Sequence, residues 1–118
     1  MFNFEKLETR HEAIAFADLV YTLTRQFPSE ERCGLTNQMR RAAVSISSNI
    51  AEGCSRSSRT DYTRFVEIAT GSVFEVVSQA TIGRNQGFLA EKDYQQLYQA
   101  AEKQSRTLSR IHAVEVHF

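Results

Sequence analysis

Residues 38–53 read QMRRAAVSISSNIAEG, and the spacing of that stretch decides the fold. Wound at 3.6 residues per turn, it separates into two neighbouring stripes. With Leu35 one turn upstream, Met39, Ala42, Ala43, Ile46 and Ile50 make the apolar one. Gln38, Arg41, Ser45, Ser48, Asn49 and Glu52 fall together beside it, within an arc of roughly 100°. An ordinary surface helix scatters Lys and Glu over its polar side. Here the polar set is short and hydrogen-bonding, with a single Arg and a single Glu, so the face is suited to meeting something. Two readings stand open: a polar seam inside the protein or between its copies, or an exposed ligand surface.

Outward from this helix the rest of the chain is helical as well. The pattern predicts a first helix over about 5–27, stopped by Pro28, whose ring and missing N–H end it. Phe16, Val20, Leu23 and Phe27 lie on one side of it, while Ile14, Ala17, Tyr21 and Leu19 widen the apolar arc to roughly 220°, twice what one core needs. Such a helix implies a partner, most simply another copy. Thr36 is the expected N-cap of the second helix, 35–53, and Gly53 its C-terminal glycine. Ser58 and Asp61 have the spacing of a capping box opening a third helix over 59–84. Its expected core side is Tyr62, Phe65, Ile68, Ala69, Ser72, Val73 and Val76. Gly71, in mid-helix, predicts the close approach of another backbone, and Phe74 points away from the core as a second interface residue beside Leu19. A fourth helix, 90–113, carries Tyr94, Leu97, Ala101, Gln104, Leu108 and Ile111 at heptad spacing, with Gln104 its polar member; Val114 to Phe118 should fray. Four helices joined by short turns give an all-α, antiparallel up-down-up-down four-helix bundle, a single domain over 1–118.

Fourteen Lys and Arg balance fourteen Asp and Glu, which argues against a strongly electrostatic nucleic-acid binder. The distribution is less even than the total. From Arg32 to Arg64 six arginines face only Glu52 and Asp61, and Arg outnumbers Lys eleven to three over the chain. Arg is suited both to bidentate recognition of phosphate and to buried pairing with carboxylates. Arg40, Arg56, Arg59 and Arg64 are the candidate nucleic-acid contacts. Arg41 is expected to be mostly buried against Glu75 or Glu52, with Ser72 beside them, and Arg40 to be the exposed member of the adjacent pair.

The sequence holds no phosphate-binding glycine loop, zinc-protease helix or nucleophile elbow. Glu8 and His11 have di-iron spacing once, and no second copy occurs. Cys33 and Cys54 lack metal-ligand spacing and read as free thiols. The expectation is a non-enzymatic, cytoplasmic protein with no metal, cofactor, small-molecule substrate or membrane contact.

The segment FPSEERCGLTNQMRRAAVSISSNIAEG, followed by R-x-x-x-x-x-Y-x-x-F-x-x-I-A-x-G-S-x-x-E, closely resembles the four-helix-bundle proteins encoded within intervening sequences of bacterial 23S ribosomal RNA genes, often labelled S23 ribosomal proteins. Gln38, Arg40, Arg41, Ala42, Ala43, Ser45, Ile46 and Asn49 to Gly53 carry the match on the second helix; Ala69, Gly71, Ser72 and Glu75 carry it on the third. The resemblance implies a left-handed bundle that assembles into a ring-like homo-oligomer, commonly a pentamer. It also implies kinship with accessory proteins of diversity-generating retroelements, basic pentamers that bind nucleic acid and a reverse transcriptase. This chain departs from those in being neutral. Two functional classes follow: a nucleic-acid or ribonucleoprotein accessory factor that binds RNA or DNA, and a self-assembling protein-interaction module whose arginines pair internally.

Overall fold

The computed structural model describes the backbone of residues 4–116 and the side chains of residues 6–114. Four helices form it: α1 Phe4–Thr24, α2 Leu35–Cys54, α3 Arg59–Asn85 and α4 Glu91–Val116, with a 3₁₀ turn over Ser29–Glu31. No strand occurs among the described residues. α2 packs on α1 and α3, and α4 packs on α3 and α1, so the helices close a ring of four, 45 × 23 × 19 Å overall. Numbering rises along each helix as it falls along its neighbour. Gly53 abuts Tyr62 and Phe65 while Gly83 backs onto Leu35; Glu67 meets His112 while Thr81 meets Tyr94. Glu12 meets Thr107 while Gln26 meets Asp93.

The core follows the helical period. Ala13, Phe16, Ala17, Val20 and Leu23 of α1 meet Met39, Ala42, Ala43, Ile46 and Ile50 of α2 together with Val66, Ala69, Val73 and Val76 of α3. All six heptad positions of α4 are buried, Gln104 among them. On α3 the buried stripe is turned from the expected one. Ile68 is 45% exposed and Phe65 half-buried, and Val66 fills the core in their stead. The apolar arc of α1 is indeed wider than its core stripe: Leu7, Ile14 and Tyr21 remain exposed along one flank of it. Leu19 is half-buried and packs on the core, so the outward widening of α1 is carried by Ile14 and Tyr21.

The helix ends correct several expectations. α1 stops at Thr24, three residues short of Phe27, because the residue before a proline is disfavoured in the helical region and the chain tightens through Phe27 N–H to Thr24 O. Gly34, not Thr36, precedes the first turn of α2; the Glu31 carboxylate accepts from Leu35 N–H at 3.1 Å and serves as the cap, while Thr36 is buried. The Ser58 cap of α3 is present, its hydroxyl accepting from Asp61 N–H. α3 ends in a Schellman motif: Phe88 N–H bonds Gly83 O at 2.8 Å and Gly87 N–H bonds Arg84 O, which requires the left-handed conformation Gly87 adopts at φ 79°. Gly53 is not a left-handed terminator. Helix α2 runs through it to Cys54, and its missing Cβ admits the Tyr62 and Phe65 side chains, which would lie 3.0 Å from a Cβ there. α4 continues through Val114 to Val116 instead of fraying at Val114; His117 and Phe118 lie outside the described residues.

Candidate functional site

The polar stripe of α2 divides into an inner seam and an outer face. Ser45 Oγ lies 3.0 Å from Ser72 Oγ across the α2–α3 contact, and Asn49 Nδ2 donates to Ser45 Oγ at 3.0 Å and to Ser45 O at 2.8 Å. Ser72 Oγ in turn donates to Ile68 O at 3.3 Å. One direction of donation satisfies the whole chain: Asn49 to Ser45, Ser45 to Ser72, Ser72 to the α3 backbone. Three short polar side chains thus bring the two helices together without an unpaired hydroxyl, which is why long side chains are absent from the stripe here.

Gln38, Arg41, Ser48, Glu52 and Glu75 make the outer face, and all are exposed. The expectation for Arg41 is therefore overturned. It is not buried, and it forms no ion pair among the described residues. Arg41 and Glu75 do line one groove of about 440 Å³ with Cys33, Gln38 and Ser45, but they are not joined. Glu52 is taken by Arg56 at 2.6 Å, one turn along and exposed. Of the adjacent pair, the half-buried arginine is Arg40, which was expected to be the exposed one. Its Nε donates to Thr24 Oγ1 at 3.0 Å and its Nη2 to Tyr21 O at 3.4 Å, and its guanidinium lies 4.6 Å from the Tyr21 ring centroid. Gly71 also departs from expectation: nothing lies within 4 Å of the position a Cβ would take, so no neighbouring backbone approaches it.

Arg40 belongs to a trough. A groove of about 560 Å³ is lined by Tyr21, Arg32, Thr36, Asn37, Arg40, Arg41, Val44, Ser45 and Ser48. It shares Arg32, Thr36 and Arg40 with a second groove of about 290 Å³, whose walls add Thr24, Arg25, Phe27, Pro28 and Ser29. Four guanidinium groups and no carboxylate line the two together. Arg40 is held by neutral acceptors, which fix its position without cancelling its charge. The tight turn at Pro28 returns the chain so that Arg25 and Arg32 flank the start of α2. Their part in the trough was missed in the sequence, although Arg32 stands in the arginine surplus and both flank the FPS turn.

The other candidate contacts lie elsewhere. Arg56, Arg59 and Arg64 sit at the far end of α2, in the loop after it and on the first turns of α3, and Arg56 lies over the Phe65 ring at 5.1 Å. The structure therefore does not gather Arg40 with these three. Near that end, burial pushes the Cys54 thiol up from its ordinary value, partly offset by the positive charges of Lys6 and Arg10. Cys33, exposed and free, is at the opposite end of α2, about 30 Å away at 1.5 Å per residue, so the two cannot form a disulfide within one chain. Among the described residues no group of three or more His, Cys, Asp or Glu side chains comes together to hold a metal, and no helix is long and apolar enough to cross a membrane. On the opposite side of the molecule, Val73, Phe74, Val77, Tyr98 and Ala101 line a groove of about 340 Å³ between α3 and α4, rimmed by Glu102 and Arg106; Phe74 is 63% exposed.

Comparison with curated protein sequences yields no match. Among solved structures, the chain resembles a protein of unknown function of the S23 ribosomal protein family from Bacteroides thetaiotaomicron, with a TM-score of 0.86 and 18% sequence identity over 93% of this chain and 99% of that one. At that identity the likeness establishes a shared fold. Residues 5–110 match the model of a family described as 23S rRNA-intervening sequence protein. That span takes in the α2 and α3 motifs, the serine–asparagine seam and the arginine trough, and the chain belongs to the 23S rRNA-intervening sequence protein family.

Proposed function

We propose that this protein is a non-enzymatic, cytoplasmic, self-assembling helical bundle that binds the phosphate backbone of a nucleic acid through the trough between the end of α1 and the Thr36–Ser48 stretch of α2. The observation that carries the reading is the trough's lining of Arg25, Arg32, Arg40 and Arg41 without a carboxylate. Four guanidinium groups with no ion pair among the described residues give this face a local positive potential in a chain of zero net charge, which favours an anionic partner. Arg56, already engaged with Glu52, is a weaker contact. The absence of catalytic role is read from the sequence, which contains none of the motifs of nucleophilic, metal or phosphoryl-transfer chemistry. Self-assembly is supported by exposed Leu7 and Ile14 on α1 and by the α3–α4 groove around Phe74; a five-membered ring rests on the family resemblance.

A salt titration of binding to an RNA that offers both a duplex stem and a single-stranded tail tests the reading. Contacts to several phosphates make log K fall linearly with log salt, and Arg32→Gln and Arg41→Gln should each make that slope shallower. A salt-independent affinity, or none at low salt, would remove the nucleic-acid reading. The protein-interaction alternative, favoured by the apolar groove around Phe74, would then stand alone.

A further inference from the structure

We infer that the trough takes a single strand, RNA or DNA, in preference to a duplex. This rests on the nucleic-acid reading and narrows it. The trough combines two kinds of surface. Arg32, Arg40 and Arg41 supply positive charge along one side. Tyr21 and Val44, 38% and 42% exposed, supply apolar surface between them. A duplex hides the faces of its bases in the stack and presents phosphate, sugar and groove edges, so it has no use for apolar surface recessed between cations. A single strand has unstacked base faces as well as phosphates, and proteins that hold one combine a positive groove with planar side chains on which bases stack.

Arg40 supplies such a plane. Its guanidinium lies over the Tyr21 ring and is tied on its edge to Thr24 Oγ1 and the carbonyl of Tyr21. One face of the guanidinium is thereby covered and the in-plane donors are partly used, while Arg40 still lines the trough, where a base could stack on it. Arg32 and Arg41, with no ion pair among the described residues, are the phosphate contacts on either side of that platform. The trough follows α2 from Thr36 to Ser48, about 18 Å at 1.5 Å per residue, the extent of a short run of strand. The remaining candidate contacts, Arg56, Arg59 and Arg64, lie at the other end of α2, outside the trough's lining.

The test is fluorescence anisotropy of the full chain with labelled oligo(U), oligo(dT) and a duplex, each of about 12 nucleotides or base pairs, from about 50 to 200 mM salt. Both single strands should bind roughly tenfold or more tightly than the duplex at equal salt. Arg41→Gln should reduce the slope of log K on log salt by about 0.7, the value for one phosphate on a single strand. Tyr21→Leu should weaken the strands several-fold with little change of slope, because it removes a stacking support and no charge; circular dichroism confirms that both variants remain helical. Tighter binding of oligo(U) than oligo(dT) would assign a 2′-hydroxyl contact, and equal binding would assign backbone and base contacts alone; either supports the inference. A duplex bound as tightly as the strands, with the Arg41→Gln slope change intact, overturns the single-strand inference and leaves nucleic-acid binding standing. No binding of any of the three at the lowest salt overturns both.

Discussion

Arg40 and Arg41 are neighbours in sequence and about 100° apart around α2, yet they sit in different surroundings. Arg40 is half-buried, with two hydrogen bonds to α1 and a ring beneath it; Arg41 is exposed, with no ion pair among the described residues. Periodicity could separate the two but could not say which would face α1, because that depends on how α2 is rolled against its neighbour. Arg40→Ala should lower the unfolding free energy by about 1 kcal/mol, the net worth of a typical hydrogen bond, and Arg41→Ala should leave it unchanged within error; thermal melts of the two variants decide the ordering. Gly71 shows the same limit at a single residue. A glycine in mid-helix suggested close packing, but open space surrounds it, so Gly71→Ala should raise stability by about 1 kcal/mol through helix propensity alone. Gly53→Ala should lower it, since the new methyl would meet the Phe65 Cβ at 3.0 Å. A melting midpoint that rises for both, or falls for both, would contradict these assignments.

Among the elements, α4 was the most legible. Its six heptad residues are all buried, because a strict heptad leaves only one face that a bundle can cover. Gln104 follows that spacing to full burial, where neither its Oε1 nor its Nε2 finds a partner among the described residues. A buried amide without partners costs about 1–3 kcal/mol, so Gln104→Leu, similar in size and apolar, should stabilise the fold by an amount in that range. Chemical denaturation giving a lower midpoint for Gln104→Leu would show that the amide has a role this accounting omits. α3 was less legible. Ile68 and Val66 are two residues apart and both apolar, and only the roll of α3 on α2 makes Val66 the core residue. The same roll brings Ser72 to Ser45 and leaves Glu75 outside. Thus the membership of the polar stripe could be read from spacing, but its division into seam and outer face could not. The trough was least legible of all, since Arg25 and Arg32 enter it through the turn at Pro28, where no periodicity operates.

For the whole molecule, exposed apolar side chains include Leu7 and Ile14 on α1 and Phe74 and Tyr98 at the α3–α4 groove, with Val44, Ile68, Ile82 and Val114 exposed elsewhere. Monomeric proteins seldom leave such surface in contiguous patches. In the self-assembling form proposed above, Phe74→Glu should reduce the molar mass found by light scattering while far-UV circular dichroism stays largely unchanged, because Phe74 takes no part in the core cluster. A wild-type chain that scatters as a monomer at micromolar concentration would remove self-assembly from the proposal.

The trough lies towards one end of α2, with Arg56, Arg59 and Arg64 past the other. Rotation about a cyclic axis keeps every equivalent point at the same height along that axis, so a ring of these chains would carry all its troughs on a single rim. A strand long enough to reach from one trough to the next would then gain avidity, each further attachment occurring at the high effective concentration set by the first. Affinity would climb in steps with strand length although no subunit gains a contact, and a short strand would report only the weak affinity of one site.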